Sequence, residues 1–441
     1  MTTRLTMPQS ERALAPGKRN DTRGNAATRL FKILGPGLVT GASDDDPSGI
    51  GTYSQVGAQF GYGLLWTMLI SYPLMAAIQE ICARIGRVTG CGIAANLRKS
   101  YPKPLLYAVL IAVAMANIFN LGADLGAMGD ALHLLVPGKV SVFVVGFGGV
   151  SLVAILFVPY STYVKYLKWL TLSLFAYVGV ILFVHVSWAN VARATLIPHV
   201  RLTKEYLTAL AAVLGTTISP YLFFWQASQE VEEVRNNRGE KSLRRAPEQA
   251  DAQLGRIRVD TYTGMAFSNL VAFFIILTAA STLHAHGITQ IATSAEAATA
   301  LKPLAGRFAF ALFACGVVGT GLLAVPVLAA SAAYGIGEAC QWKVSLEQAP
   351  KQAAPFYGVI CAATILGLSL NFLHIDPVKA LFWAAVVNGL VSAPLMAVIM
   401  IIASSRKVMG KFVIPIYLRS VGWIATAVMF CVGAGVLLTW R

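Results

Sequence analysis

Apolar residues run along this chain in blocks of roughly 18 to 25, parted by short polar segments, and a block of that length crosses a hydrocarbon core of about 30 Å as one helix. In order, the blocks fall at about 33–58, 64–83, 104–123, 140–158, 169–188, 206–229, 262–283, 308–333, 355–373, 380–403 and 421–440. The pattern predicts an all-α polytopic membrane protein of about eleven spans, with no soluble domain of useful size left over. Residues 1–30 are polar, rich in Arg, Thr and Asn, and lack the apolar region of a signal peptide. They are expected to form a disordered cytoplasmic tail.

Composition agrees. Of 441 residues, 56% are hydrophobic and 12% charged, a balance foreign to soluble proteins. The net charge of +15 raises the question of nucleic acid, and the placement of the basic residues answers it. With the amino terminus in the cytoplasm, 27 of the 35 Lys and Arg fall in inside segments. That asymmetry sets the orientation by the positive-inside rule and places the carboxyl terminus outside. The charge is topological: the expected partner is a lipid bilayer and not nucleic acid, and no obligate protein partner is evident. A bacterial inner membrane is the expected location. Six cysteines, Cys82, Cys91, Cys315, Cys340, Cys361 and Cys431, lack metal-binding spacing and are assigned no chemistry.

Function is expected where a span breaks, because backbone freed inside a membrane is tolerated only where it is buried or lines a cavity. The first span contains Gly41-Ala42-Ser43-Asp44-Asp45-Asp46-Pro47-Ser48-Gly49-Ile50-Gly51. Pro47 removes an N–H and clashes one turn back, while the glycines permit unwinding. Three carboxylates at this depth cost on the order of 3 kcal/mol each on insertion scales and call for a polar interior with a cation. The sixth span carries a similar interruption, Gly215-Thr216-Thr217-Ile218-Ser219-Pro220-Tyr221, with Glu230, Glu232 and Glu233 at its end. The breaks lie five spans apart. Five is odd, so the second group of five starts on the opposite side, as in an inverted repeat. Paired discontinuities of this kind mark transporter binding sites, and unwound carbonyls favour cations.

These residues resemble the natural resistance-associated macrophage protein (NRAMP) family of divalent metal transporters. The matching text is Gly35-Pro36-Gly37, Asp46-Pro47-Ser48-Gly49, Gln59-Phe60-Gly61-Tyr62, and Leu214-Gly215-Thr216-Thr217 with Pro220. The resemblance covers the first ten spans. It implies a leucine-transporter-like (LeuT-like) fold of two five-span repeats, 31–190 and 204–404, with helices 1 and 6 broken and an extra span at 417–441. It also implies a metal site at Asp46, Gly49, Thr216 and Ser219. No cofactor is implied, since the metal is cargo, and no enzyme activity.

Departures from the family pattern carry the substrate expectation. The usual D-P-G-N of span 1 has Gly49 at its Asn. The usual A-T-V-M-P-H of span 6 has Thr216 at its Ala and Ser219 at its Met, with Tyr221 in place of His. Loss of the thioether and of one amide oxygen favours hard ions that keep part of their water. The resemblance is strongest to the magnesium-transporting branch, which also carries Mn²⁺; a branch linked to Al³⁺ is the rival. For coupling, a sixth-span histidine position is Gln226 and span 9 has no Arg, so transport is expected to be independent of protons. Asp124 in span 3 matches the family's glutamate or is a buried carboxylate paired with a polar neighbour. A proton-coupled Mn²⁺ or transition-metal transporter is the alternative.

Further residues were weighed. Asp44 and Asp45 line a vestibule or cap the half-helix, Asp45 being a helper to the site. Asn388, mid-span in the second half, is a helper in an occluded state or a buried polar residue. His284 and His286 read as a solvated loop, and Glu80 with Arg84 as an ion pair. The stretch Arg235 to Arg258, with seven basic residues, reads as a cytoplasmic loop with unspecific affinity for anionic lipid. A sodium-coupled amino-acid symporter is disfavoured by the fixed anion Asp46. An intramembrane prenyltransferase is disfavoured by the lack of a second facing acidic cluster.

Overall fold

The computed structural model describes residues 40–41, 43–159, 162–163, 170–237, 239–373 and 375–440. The tail at 1–30 and Gly35-Pro36-Gly37 lie outside them. The helices that frame the spans are α1 (Pro47–Phe60), α2 (Trp66–Thr89), α3 (Lys103–His133), α4 (Val140–Phe157), α5 (Phe175–Val180), α6 (Lys204–Thr217), α7 (Pro220–Asn236), α8 (Ala250–Thr282), α9 (Ala309–Cys340), α10 (Ala354–Leu370), α11 (Pro377–Ser404) and α12 (Ile416–Thr439). No strand occurs among the described residues. Nine helical segments there, counting α6 with α7 as one, are long and apolar enough to cross a membrane. Each overlaps an expected span.

The breaks fall where the sequence places them. Thr40, Gly41, Ser43 and Asp44 are helical, Asp45 bends, and Asp46 is extended before Pro47 opens α1. In the sixth span α6 stops at Thr217, Ile218 and Ser219 are non-helical, and Pro220 opens α7. Proline alone does not break a helix here, since Pro73, Pro326 and Pro394 sit inside continuous α2, α9 and α11. Pro47 and Pro220 instead occupy the first turn of the second half-helix, where a missing N–H loses nothing.

Burial follows from this arrangement. The most apolar stretch of α6–α7 is wholly buried, whereas that of α4 is 17% buried, leaving Val142, Val145, Val150 and Val153 exposed to lipid. The broken helices form the centre and α4 the rim. At Gly215 any Cβ would lie 2.0 Å from the Ala385 carbonyl oxygen and 2.4 Å from the Gly389 nitrogen. Only glycine allows α6 to lie this close to α11.

Two expectations need correction. The fifth span, expected over 169–188, is not one helix: a 3₁₀ turn at Leu170–Leu174 leads into the six-residue α5, a turn follows, and a new helix starts at Trp188. Hydropathy reads length rather than continuity, and the β-branched and aromatic run in this segment propagates a helix poorly. Thr278 of α8 also donates to the Tyr177 carbonyl at 2.8 Å. The stretch from Arg235 to Arg258 is not a free loop. Arg256 and Arg258 are already within α8, Leu243 and Arg244 donate backbone N–H groups to the Arg87 and Val88 carbonyls, and Arg256 contacts Glu230 at 2.7 Å and Glu233 at 2.6 Å. Two carboxylates at the end of α7, Glu230 buried and Glu233 half-buried, hold Arg256, which composition alone assigned to solvent or lipid.

Candidate metal centre at the two helix breaks

Asp46 caps α1. Its Oδ1 accepts from the Gly49 N–H at 2.7 Å and from the Ser48 hydroxyl at 2.8 Å. The extended backbone of an N-cap turns the carboxylate back onto the first-turn amides, which have no partner within the helix. Its Oδ2 accepts from Asn120 Nδ2 of α3 at 2.9 Å. The side chain is 2% exposed, and these three donors fix both of its oxygens.

The sixth-span break faces it. A Cβ built on Gly49 would stand 3.2 Å from Thr216 Oγ1, 3.3 Å from the Tyr53 ring and 3.5 Å from Asp46 Oδ1. Ser219 turns its hydroxyl onto the Gly215 and Thr216 carbonyls at 3.1 and 2.8 Å, leaving its oxygen lone pairs as acceptors. The unwound Ile218 carbonyl accepts from Ser392 of α11 at 2.6 Å. Tyr221 ties the breaks together, its hydroxyl donating to the Ser43 carbonyl at 2.8 Å, while Ser331 of α9 donates to the Tyr221 carbonyl at 2.7 Å. Asp46, Gly49 and Thr216 are thus brought together, and Ser219 is tied to them through the Thr216 carbonyl.

The helper residues lie at varied removes. Asn388 Nδ2 reaches Asn120 Oδ1 at 3.4 Å, joining Asp46 through one intermediary. Asp124 Oδ1 accepts from the Ser48 N–H at 3.2 Å, so the carboxylate is buried beside a polar neighbour at the break itself. Gln226 accepts from Thr40 through its Oε1, nearer the amino-terminal half of span 1. Asp45 turns toward Ser268 of α8, as does Asp44; both are buried and neither lines an open vestibule. His284 and His286 bind backbone carbonyls of Ala58 and Thr282, and Glu80 pairs with Arg84 at 2.7 Å.

The sequence reading missed Asn120, Ser268 and Tyr53. For Asn120 a signal existed: Asn117, Asn120 and Asp124 recur at spacings of three and four within an apolar span and so share one helix face. Several buried oxygens here lack a hydrogen-bond partner, namely Thr216 Oγ1, Asp124 Oδ2, Asn388 Oδ1 and the Tyr53 hydroxyl. Tyr53 and Thr216 are in mutual reach, without good hydrogen-bond geometry between them. Buried oxygen acceptors gathered at a helix break suit a cation.

Comparison with known proteins points the same way. The model of the natural resistance-associated macrophage protein-like family matches residues 37–439. A divalent metal cation transporter MntH of Verminephrobacter eiseniae is 24% identical over 448 residues, covering 97% of this chain and 92% of that protein. Another MntH, from Klebsiella pneumoniae subsp. pneumoniae, is 24% identical over 93% of this chain and 95% of its own length. Among solved structures, a manganese transporter of Eremococcus coleocola superposes with a TM-score of 0.72 at 16% identity, over 93% of this chain and 87% of that one. Inward-facing Mhp1 superposes with a TM-score of 0.53 at 12% identity, over 93% and 90%. These likenesses establish the LeuT-like fold.

Proposed function

This chain belongs to the natural resistance-associated macrophage protein-like family of membrane transporters, and on that premise we propose that it moves a hard divalent metal ion, Mg²⁺ or Mn²⁺, by alternating access through the two helix breaks. The observation that carries this reading is the donor set: Asp46 and Thr216 meet at Gly49 and offer oxygen, with Ser219 beside them on the Thr216 carbonyl. Oxygen donors suit Mg²⁺ and Mn²⁺, while a thioether would draw softer metals. The printed names of the relatives, divalent metal cation and manganese transporters, support Mn²⁺ as a cargo. Asp46 would bind the ion, with Thr216 and Ser219 completing the shell and water filling the space at Gly49. The moving units in this reading are the halves 31–190 and 204–404, with 417–441 as an added span and the amino terminus in the cytoplasm.

Gln226 cannot titrate, which supports transport driven by the metal gradient and the membrane potential without protons. A second reading, proton-coupled Mn²⁺ transport, is favoured in its ion by the relatives' names and in its coupling by Asp124, a buried carboxylate that reaches the break through Ser48. Proteoliposome uptake with Mg²⁺, Mn²⁺, Ca²⁺, Cd²⁺ and Al³⁺ in competition, read beside a lumenal pH dye, separates the readings. Mg²⁺ competing with Mn²⁺ without lumenal acidification supports the first; acidification in step with Mn²⁺ uptake supports the second.

A further inference from the structure

Asp46 by itself offers a cation little free oxygen. Its Oδ1 already accepts from the Gly49 N–H and the Ser48 hydroxyl, and its Oδ2 from Asn120. A carboxylate has about four lone-pair sites, which leaves one, on Oδ2. A hard divalent ion takes about six oxygens or more, so the other donors come from the walls of the site or from water. One wall group is otherwise unused. Tyr53 lies one turn beyond Gly49 on the same face of α1. It is buried, and its hydroxyl has no hydrogen-bond partner. Tyr206, Tyr221 and Tyr334 are buried as deeply, and each donates its hydroxyl to a carbonyl or carboxylate oxygen. Tyr177 also lacks a partner, but it sits beside Ser54, off the face of α1 that Gly49 and Tyr53 share.

Geometry puts the phenol at the metal centre. The position of a Cβ on Gly49 stands 3.3 Å from Tyr53 Cε2, 3.2 Å from Thr216 Oγ1 and 3.5 Å from Asp46 Oδ1. Cε2 is bonded to the ring carbon that carries the hydroxyl, so the oxygen-bearing edge of the ring is turned to the place where carboxylate and threonine meet. Thr216 Oγ1 is likewise buried without a partner. An unpaired buried hydroxyl destabilises a fold, and a phenylalanine would pack the same ring without that cost. We propose that Tyr53 is a specificity-determining residue of the metal centre, its hydroxyl oxygen joining Thr216 and Ser219 in the shell of the ion that Asp46 binds. This role rests on the reading that Asp46 holds the transported ion. A phenol oxygen is a hard, neutral donor, so it favours Mg²⁺ and Mn²⁺ over the softer Cd²⁺.

Two measurements on the purified full chain test this role in Tyr53→Phe and Asp46→Ala: the thermal unfolding midpoint without metal, and the Kd values for Mn²⁺ and Cd²⁺. Tyr53→Phe is expected to unfold at or above the wild-type midpoint, because it removes an unpaired hydroxyl and keeps the ring. Its Kd for Mn²⁺ is expected to rise about tenfold and its Kd for Cd²⁺ by less than about threefold. A hydroxyl that only supports the fold would give the reverse, a lower midpoint with both Kd values unchanged, and that result overturns the proposal. So does a Tyr53→Phe chain that fails to fold, an unchanged Kd for Mn²⁺, or an equal loss for the two metals. Loss of Mn²⁺ binding in Asp46→Ala beside unchanged binding in Tyr53→Phe overturns the role of Tyr53 alone. Mn²⁺ binding that survives in Asp46→Ala overturns the reading of the site on which that role rests.

Discussion

Asn120 of α3 donates its amide to Asp46 Oδ2 at 2.9 Å while accepting from Asn388 of α11 at 3.4 Å. One side chain thus connects the first-span carboxylate to the tenth span. Truncating it frees Asp46 to rotate and leaves an acceptor without its donor. A hydrogen bond to a charged group is worth about 1.5–3 kcal/mol, so Asn120→Ala should raise the KM for Mn²⁺ uptake about tenfold or more, with Asn120→Asp disturbing the site further by like charge. Initial-rate uptake in proteoliposomes checks this, and an unchanged KM would remove Asn120 from the site.

Gly49 sets the room available to a hydrated ion. An added side chain there meets Thr216 Oγ1 at 3.2 Å and the Tyr53 ring at 3.3 Å, so Gly49→Asn forces those groups to give and displaces water. Combined with Ser219→Met it installs an amide oxygen and a thioether. The double variant should lose Mg²⁺ competition and shift preference toward Mn²⁺ and Cd²⁺ by about tenfold, read as competition constants against Mn²⁺.

Tyr221 is the strut between the breaks, through its hydroxyl and the Ser43 carbonyl at 2.8 Å. Tyr221→Phe keeps the ring and orphans that carbonyl, at about 1–3 kcal/mol. Slower uptake with retained Mn²⁺ affinity is expected, because the strut orients the half-helices without touching the ion. A variant that loses affinity and keeps its rate would place the hydroxyl on the ion.

At the far end of α7, Glu230 is fully buried and leans on Arg256 at 2.7 Å. Removing one partner of a buried pair leaves an uncompensated charge, at about 3–5 kcal/mol. Arg256→Ala should lower the thermal unfolding midpoint in detergent, and Arg256→Ala with Glu230→Gln should recover part of the loss. Equal midpoints for Arg256→Ala and the wild type would show the pair to be ornamental.

The sequence disclosed the breaks because proline beside acidic or hydroxyl residues inside an apolar block has few structural uses, and Pro47 and Pro220 both open half-helices as read. It disclosed Asp46 for the same reason. It did not disclose Ser268, since one serine in an apolar span has no periodic companion, and its meaning depends on α8 packing against the bend. Asn120 was legible through its spacing from Asn117 and Asp124. The arginine-rich stretch misled because charge counts show which side of the membrane a residue prefers, while its ion-pair partners, Glu230 and Glu233, come from a different helix. The fifth span failed because a hydropathy window is blind to a helix that stops and restarts.

The central claim is that Asp46, held by the cap of α1, binds a divalent ion directly. It is tested most directly by Mn²⁺ uptake in proteoliposomes holding wild type or Asp46→Ala, at equal protein density and an imposed inside-negative potential, which contributes about 2.3 kcal/mol per charge per 100 mV. The account predicts saturable uptake for the wild type, competed by Mg²⁺, and background flux for Asp46→Ala. Saturable uptake that persists in Asp46→Ala with unchanged KM would contradict it.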